Sequence, residues 1–208
     1  RAGVYRGKGT VRVEEVPVPE PGDGEVLIKV ACCGICGTDI KKIFYAYVEP
    51  PQILGHEIAG TVAAVGKGVT MWKPGDRVMS FHHIPCGTCF YCARRLFSQC
   101  PRYKTTGLTA GFTPNGGGFA QYVKAMPWVA ERGIVALPPG VSFEQGAFIE
   151  PVNTIVKAVQ KARVAAGETV LVIGCGPVGL LLLMVSRLQG AALYTSDPMK
   201  ERREKSLQ

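Results

Sequence analysis

Residues 168–197, ETVLVIGCGPVGLLLLMVSRLQGAALYTSD, decide the fold class of this 208-residue chain. Thr169 to Ile173 is a short apolar run, rich in β-branched residues and of strand length. It passes directly into Gly174-Cys175-Gly176-Pro177-Val178-Gly179, a G-x-G-x-x-G turn, and then into a stretch that reads as a buried helix over about Pro177 to Leu188. A second strand, Ala191 to Ser196, ends at Asp197. Strand, glycine turn, helix, strand is the opening of a parallel dinucleotide-binding sheet. The glycines permit a tight turn and close backbone approach, and the helix N-terminus favours an anion, which together suit a pyrophosphate. A glycine turn with no ligand is the plainer alternative. Asp197 lies 23 residues beyond Gly174. A carboxylate there can accept from both ribose hydroxyls and repels a 2′-phosphate, so NAD is expected rather than NADP. Such a sheet has about six strands. Two are present before Gln208, so the chain is expected to be a fragment.

Upstream the texture differs. From Val11 to about Val135, short β-branched runs such as Val26 to Val30, Ile58 to Val65 and Arg77 to Ser80 alternate with turns such as Pro21-Gly22-Asp23-Gly24 and Pro74-Gly75-Asp76. This pattern predicts a compact, irregular β-rich barrel. After Pro138-Pro139, Ser142 can cap a short helix with Gln145 three residues on, and Val152 to Ala166 has helical spacing. The fold class is therefore mixed β and α/β. A first domain is expected over residues 1–150, with the start of an incomplete Rossmann-type domain over 151–208.

Cys86, Cys89, Cys92 and Cys100 form C-x2-C-x2-C-x7-C within a lobe at about 84–104. Four soft thiolates on one short loop can close a tetrahedron around a single zinc ion with no open position, which makes the site structural. An iron–sulfur cluster competes, because the first three cysteines and Cys100-Pro101 echo a ferredoxin run; that run has three residues before its last cysteine, not seven. Unliganded or disulfide-bonded cysteines are the third reading.

A second set is dispersed: Cys36 in Gly34-Ile35-Cys36-Gly37-Thr38-Asp39, His56 and Glu57 after Gly55, and Glu150 before Pro151. A thiolate, an imidazole and one or two carboxylates suit zinc while leaving room for water or substrate. Singly, Cys36 would more often be a small buried residue, His56 a hydrogen-bonded core residue and Glu150 a helix-end carboxylate.

Taken in this order and beside the four-cysteine lobe, these residues resemble the medium-chain dehydrogenase/reductase family of zinc alcohol dehydrogenases, nearest its sorbitol and threonine dehydrogenase branch. Gly75-Asp76-Arg77-Val78 and Gly117-Gly118-Phe119-Ala120 extend the likeness over essentially the whole chain. The resemblance implies a GroES-like barrel as the catalytic domain, followed by a Rossmann NAD-binding domain. It implies two zinc ions, one catalytic and one structural. Cys36 and His56 would be catalytic-zinc ligands, with Glu57 or Glu150 as the third protein ligand. Asp39 would orient His56, although a turn-capping role competes. Thr38 would sit at the proton-relay position, against the plainer reading of a hydroxyl satisfying nearby backbone. Many relatives carry a relay histidine where this chain has Lys41; either Lys41 or Lys42 would reach the cofactor instead, or water would carry the proton, and neither lysine is assigned a catalytic role. Gly174, Gly176, Pro177, Val178 and Gly179 would hold the pyrophosphate and Asp197 the ribose. Arg202 would pack near the adenine or lie on a solvated helix face. The implied reaction is hydride transfer between NAD and a secondary alcohol, polyol or hydroxy amino acid, in a parent enzyme that is a homodimer or homotetramer. A non-catalytic zinc-stabilised module and an iron–sulfur electron carrier are the competing functions.

Composition narrows the remaining classes. The formal charge of +8 comes from scattered basic residues apart from Lys200 to Lys205, so nucleic acid is not expected as a partner. Thr169 to Ser186 is uncharged and approaches the length of a membrane span, but Gly174, Gly176, Pro177 and Gly179 interrupt it. The eight cysteines have metal-ligand spacings and no apolar signal segment opens the sequence, so a reducing cytoplasm is expected. Cys32, Cys33 and Cys175 read as core or turn thiols, and His82 and His83 as ordinary polar residues near a substrate cleft.

Overall fold

The computed structural model describes residues 1–207. The chain folds as two compact units, Arg1–Ile149 and Glu150–Gln208. In the first unit the strands are β1 Ala2–Gly7, β2 Thr10–Glu14, β3 Val26–Gly34, β4 Gln52–Ile53, β5 Glu57–Val65, β6 Arg77–Ser80, β7 Leu108–Thr109, β8 Tyr122–Ala125 and β9 Ile134–Ala136. Short helices intervene: α1 Gly37–Phe44, α2 Phe90–Ala93, α3 Pro127–Arg132 and α4 Phe143–Ala147. Six strands pair in the order β7-β8-β3-β5-β6-β9, and β2-β1-β4 form a second, three-stranded sheet.

The central pair, β3 and β5, is antiparallel, with register shifts at Leu27/Ile28 and Val30/Cys32. Such irregularities bend a strand and increase its twist, which curls the six-stranded sheet around its apolar face. Val26, Ile28, Ile58, Val62, Val78 and Val123 line that face, each at most 1% exposed. Burying each contributes roughly 1.5–3 kcal/mol. This alternation of inward β-branched residues is what the runs at 26–30, 58–65 and 77–80 encode. Ser142 caps α4 by accepting from Gln145 N, and the Gln145 side chain accepts from Ser142 N in return.

The second unit begins in α5, Ile149–Ala162, which starts and ends a few residues earlier than the apolar spacing of 152–166 suggests. Proline at position 151 occupies the first turn, where its missing N–H costs nothing. β10 Thr169–Ile173, α6 Pro177–Leu188, β11 Ala192–Ser196 and α7 Lys200–Ser206 follow. β10 and β11 pair in parallel with α6 as the crossover, the βαβ unit expected from residues 168–197. Among the described residues no helix is long and apolar enough to cross a membrane.

Candidate functional site

The register of the central strands assembles the first site. Gly34 pairs with Glu57 across β3 and β5, so Cys36, two residues past one strand, and His56, one residue before the other, emerge at the same end. The ligand atoms of Cys36, His56 and Glu57 all lie within 4.8 Å of one another. Gly55 turns the chain into His56 with φ +91°, and a Cβ there would stand 2.7 Å from the Phe119 ring and 2.9 Å from Cys33 Sγ. Only glycine meets both demands. The segment 117–119 braces this turn, since Gly117, Phe119 and Gly118 donate their N–H groups to Ile53, Leu54 and Gly55 carbonyls.

Asp39 is fully buried and its two oxygens face different partners. Cys36 is the N-cap of α1, and Asp39 Oδ2 accepts from Cys36 N at 3.1 Å, closing a capping box. Asp39 Oδ1 accepts from Gly55 N at 3.3 Å and lies 3.3 Å from His56 Nδ1. The imidazole is thereby oriented by one nitrogen, leaving the other for a ligand. Burial opposes the charged form of His56, but Asp39 and Cys36, by hydrogen bonds and charge, outweigh it and raise the group to about 10. His56 and Thr38 in turn hold the Cys36 thiol below its ordinary value. Burial raises Glu57. Thr38 is exposed on α1, and its N–H points at Cys36 Sγ from 3.5 Å.

Around this set stand His82 and His83, which the sequence reading placed near a substrate cleft, and Lys42. The ring of His82 lies 4.5 Å from that of His56, and the ring of His83, tilted by 45°, lies 4.0 Å from that of His82. Burial, with the nearby charges of His83, His56 and Lys42, drives His82 down to about 2, so it is a neutral imidazole. Lys42, one turn along α1 from Thr38, donates from Nζ to Asn115 Oδ1 at 2.7 Å. The i, i+4 spacing of Thr38 and Lys42 was the available clue, because such residues share a helix face.

The cysteine lobe is a second, separate site. The sulfurs of Cys86, Cys89, Cys92 and Cys100 lie within 4.8 Å of one another, with Cys86 to Cys92 at 3.9 Å and Cys89 to Cys92 at 3.6 Å. Tetrahedral thiolates at the usual zinc–sulfur length are about 3.8 Å apart. A disulfide needs about 2.05 Å, and all eight cysteines are free. An iron–sulfur cluster puts several atoms between its thiolates, and sulfurs this close leave no room for one. The Thr88 N–H and hydroxyl, with the Cys89 N–H, hold the Cys86 thiol below its ordinary value. Arg132 ties the lobe to α3 by donating to Cys86 O at 3.1 Å.

The second unit carries the glycine turn. Gly174 has φ +99°, and a Cβ on Gly179 would overlap Gly174 O at 1.8 Å, so α6 packs directly on the strand end. A Cβ on Gly176 meets nothing within 4 Å, so packing does not require glycine there. Backbone left bare at the N-cap of α6 is what an approaching pyrophosphate needs. Pro177 and Val178 form the first helical turn. Asp197 is 6% exposed; Oδ2 accepts from Cys175 N at 2.8 Å and Oδ1 from Met199 N at 2.9 Å. Each carboxylate oxygen keeps a further lone pair for a hydroxyl. Arg202 stands 3.9 Å from Asp197 Oδ2 with its side chain half exposed. Glu150 lies in the first turn of α5.

A curled antiparallel sheet that brings Cys36, His56 and Glu57 together at one end, with a four-cysteine lobe on a loop, has the architecture of the GroES-like class. The chain belongs to the alcohol dehydrogenase GroES-like domain family, whose model matches residues 22–139. It is 33% identical over 215 residues to sorbitol dehydrogenase of Bombyx mori, covering 100% of this chain and 59% of that protein. Among solved structures it resembles galactitol-1-phosphate dehydrogenase of Escherichia coli, with a TM-score of 0.87, 34% identity, and 99% of this chain against 58% of that one. A protein of Sinorhizobium meliloti 1021, classed as a zinc-binding dehydrogenase and solved with NADP, gives a TM-score of 0.85 at 32% identity over 99% of this chain and 58% of its own. The chain thus spans a little over half the length of the relatives it matches.

Proposed function

We propose that the chain supplies the metal sites and the first half of the nucleotide site of a zinc-dependent dehydrogenase acting on polyols or related secondary alcohols. The observation that carries this reading is the convergence of Cys36, His56 and Glu57 within 4.8 Å on the central strands. One thiolate, one imidazole and one carboxylate is a donor set for zinc that leaves a position open, whereas the four-thiolate lobe is closed. Glu57 is the third ligand on this reading, with Glu150 as its alternative.

Bound zinc supplies Lewis-acid polarisation of an alcohol oxygen, and a bound nicotinamide dinucleotide supplies the hydride acceptor. The residues of the chain do the rest. Asp39 fixes the tautomer and direction of His56, and Cys36 N-caps the helix that presents Thr38. The Thr38 hydroxyl both donates and accepts, which fits it to pass the alcohol proton outward. Lys41, exposed on the next turn, stands where a relay histidine is often found, so water completes the path to solvent. The Gly174–Gly179 turn receives the pyrophosphate. Asp197 receives the ribose, favouring NAD, and Arg202 flanks it.

Metal analysis of the purified chain tests this reading. Two zinc ions per chain are expected, one resistant to chelators and one lost in Cys36→Ser. Cobalt placed in the exchangeable site should show thiolate charge-transfer absorption that the same variant abolishes. A single zinc that survives loss of Cys36, or iron with strong visible absorption, would refute it.

A further inference from the structure

α1 carries more than the capped Cys36 and the exposed Thr38. Four residues beyond Thr38, on the same helix face, Lys42 reaches the side of the site bounded by His82 and His83. Its ammonium is half-buried and hydrogen-bonded to the neutral carbonyl of Asn115. An ammonium has three protons to donate, and the Asn115 bond accounts for one. Among the described residues Lys42 forms no ion pair. The nearby acidic groups are otherwise engaged, since Asp39 is held by His56, Cys36 N and Gly55 N, while Cys36 is turned to His56. The rings of His82 and His83 lie in sequence along this side of the site, 4.5 Å from His56 to His82 and 4.0 Å from His82 to His83.

We infer that Lys42, braced by Asn115, is a specificity-determining residue that binds an anionic oxygen group, a phosphate or carboxylate, at the far end of the polyol from the oxidised carbon. The inference rests on the reading of Cys36, His56 and Glu57 as the end that receives the reacting hydroxyl. Geometry sets the spacing. One helical turn advances about 5.4 Å, so an oxygen beside Thr38 and an anion at the tip of Lys42 are separated by a few bonded carbons, the length of a short polyol chain. A lysine acts on a phosphate as a point charge and needs no bidentate geometry, which suits a single cation on a flexible stem. Neutral imidazoles can lend an N–H donor to the same group without demanding a second charge. A purely structural Lys42 would instead serve only to pin the loop of Asn115.

The test compares the wild-type chain, Lys42→Met, Lys42→Arg and the exposed neighbour Lys41→Met, all zinc-loaded. Calorimetry measures binding of a terminally phosphorylated hexitol, the same hexitol without phosphate, a hydroxy-carboxylate of similar length, and inorganic phosphate. The phosphorylated or the carboxylated compound should bind wild type at least tenfold more tightly than the neutral hexitol, and whichever binds identifies the group. Lys42→Met should remove that preference, with Lys42→Arg retaining most of it and Lys41→Met all of it. Circular dichroism checks that the variants are folded, and Asn115→Ala should weaken the preference severalfold with Lys42 intact. Equal binding to wild type and Lys42→Met, or equal binding of charged and neutral hexitols, overturns the assignment. Cobalt uptake at Cys36, read on the same samples, separates the two claims. Lys42-dependent anion binding without cobalt uptake would sink the dehydrogenase reading alone, and cobalt uptake with anion binding indifferent to Lys42 would sink the subsite alone.

Discussion

Replacing Asp39 with Asn isolates the electrostatic contribution of the buried carboxylate at constant volume. In the wild type its two oxygens accept from three N–H groups, Cys36 N on one side and Gly55 N and His56 Nδ1 on the other. An Asn side chain can keep its carbonyl toward only one side, so its amide N–H must face an N–H on the other. The loss is one charge-assisted hydrogen bond plus a buried donor without a partner, together about 2–4 kcal/mol. That is a large share of the 5–15 kcal/mol typical of a domain. Removing the partner that orients a metal-bound imidazole typically lowers affinity about 10- to 100-fold. In the metal-free wild type, His56 raised to about 10 adds stability that is full below its unfolded value near 6.5 and is lost as pH rises through about 10. Zinc must displace that proton, so apparent affinity should climb with pH across this window in the wild type and over a lower range in Asp39→Asn. Urea unfolding of the metal-free proteins and zinc competition against a chromophoric chelator measure the two effects. Stability lost with zinc affinity and its pH dependence unchanged would mean that Asp39 serves only as a helix cap, and the orienting role would be wrong.

Other substitutions probe the remaining elements. Glu25 pairs with Lys124 at 2.7 Å and accepts from Gly22 N at 2.8 Å, and although burial opposes it these partners hold its carboxyl below the ordinary range. Its stabilisation is therefore present above the unfolded value near 4.3 and lost as pH falls through the folded one; Glu25→Gln should cost roughly 1–2 kcal/mol at pH 7 and progressively less as the pH is lowered below the carboxylate range, by urea unfolding at each pH. Gly179→Ala should disrupt the second unit, because its Cβ would meet Gly174 O at 1.8 Å, whereas Gly176→Ala should change thermal stability by no more than about 1 kcal/mol yet abolish dinucleotide binding. Nucleotide binding that survives Gly176→Ala would remove the pyrophosphate from this turn. Cys100→Ser should release one zinc ion and open residues 86–100 to protease while leaving cobalt uptake at Cys36 intact; retention of all zinc would refute the four-thiolate assignment.

The features legible in the sequence are those encoded by local spacing. The thiolate lobe is written in a run of 15 residues, and the βαβ turn in 30, so both are read without knowing what else the chain does. Strand cores at 26–30, 58–65 and 77–80 were visible because alternation at one face is a local property. Residue spacing could not show that Gly34 pairs with Glu57, since register belongs to two strands at once. For the same reason Lys42 and Asn115, 73 residues apart, meet only in three dimensions. Asp39 is instructive in another way: a turn-capping contact and a contact to His56 look like alternatives in sequence, but a carboxylate has two oxygens, and here one faces Cys36 N and the other His56 Nδ1. Asp197 likewise spends both oxygens on backbone amides, a constraint invisible in its distance from Gly174.

The ladder between β3 and β5 has a dynamic consequence. Cys33 pairs with Ile58 and Gly34 with Glu57 immediately beside the metal-site residues, and Ile58 is wholly buried. Fraying of these last rungs would separate Cys36 from His56, so breathing of the sheet end and release of an ion bound there would become one event. Amide hydrogen exchange at Ile58 should slow when the site is filled, in step with the off-rate of the ion. The residence time of such an ion would then be a clock set by the backbone.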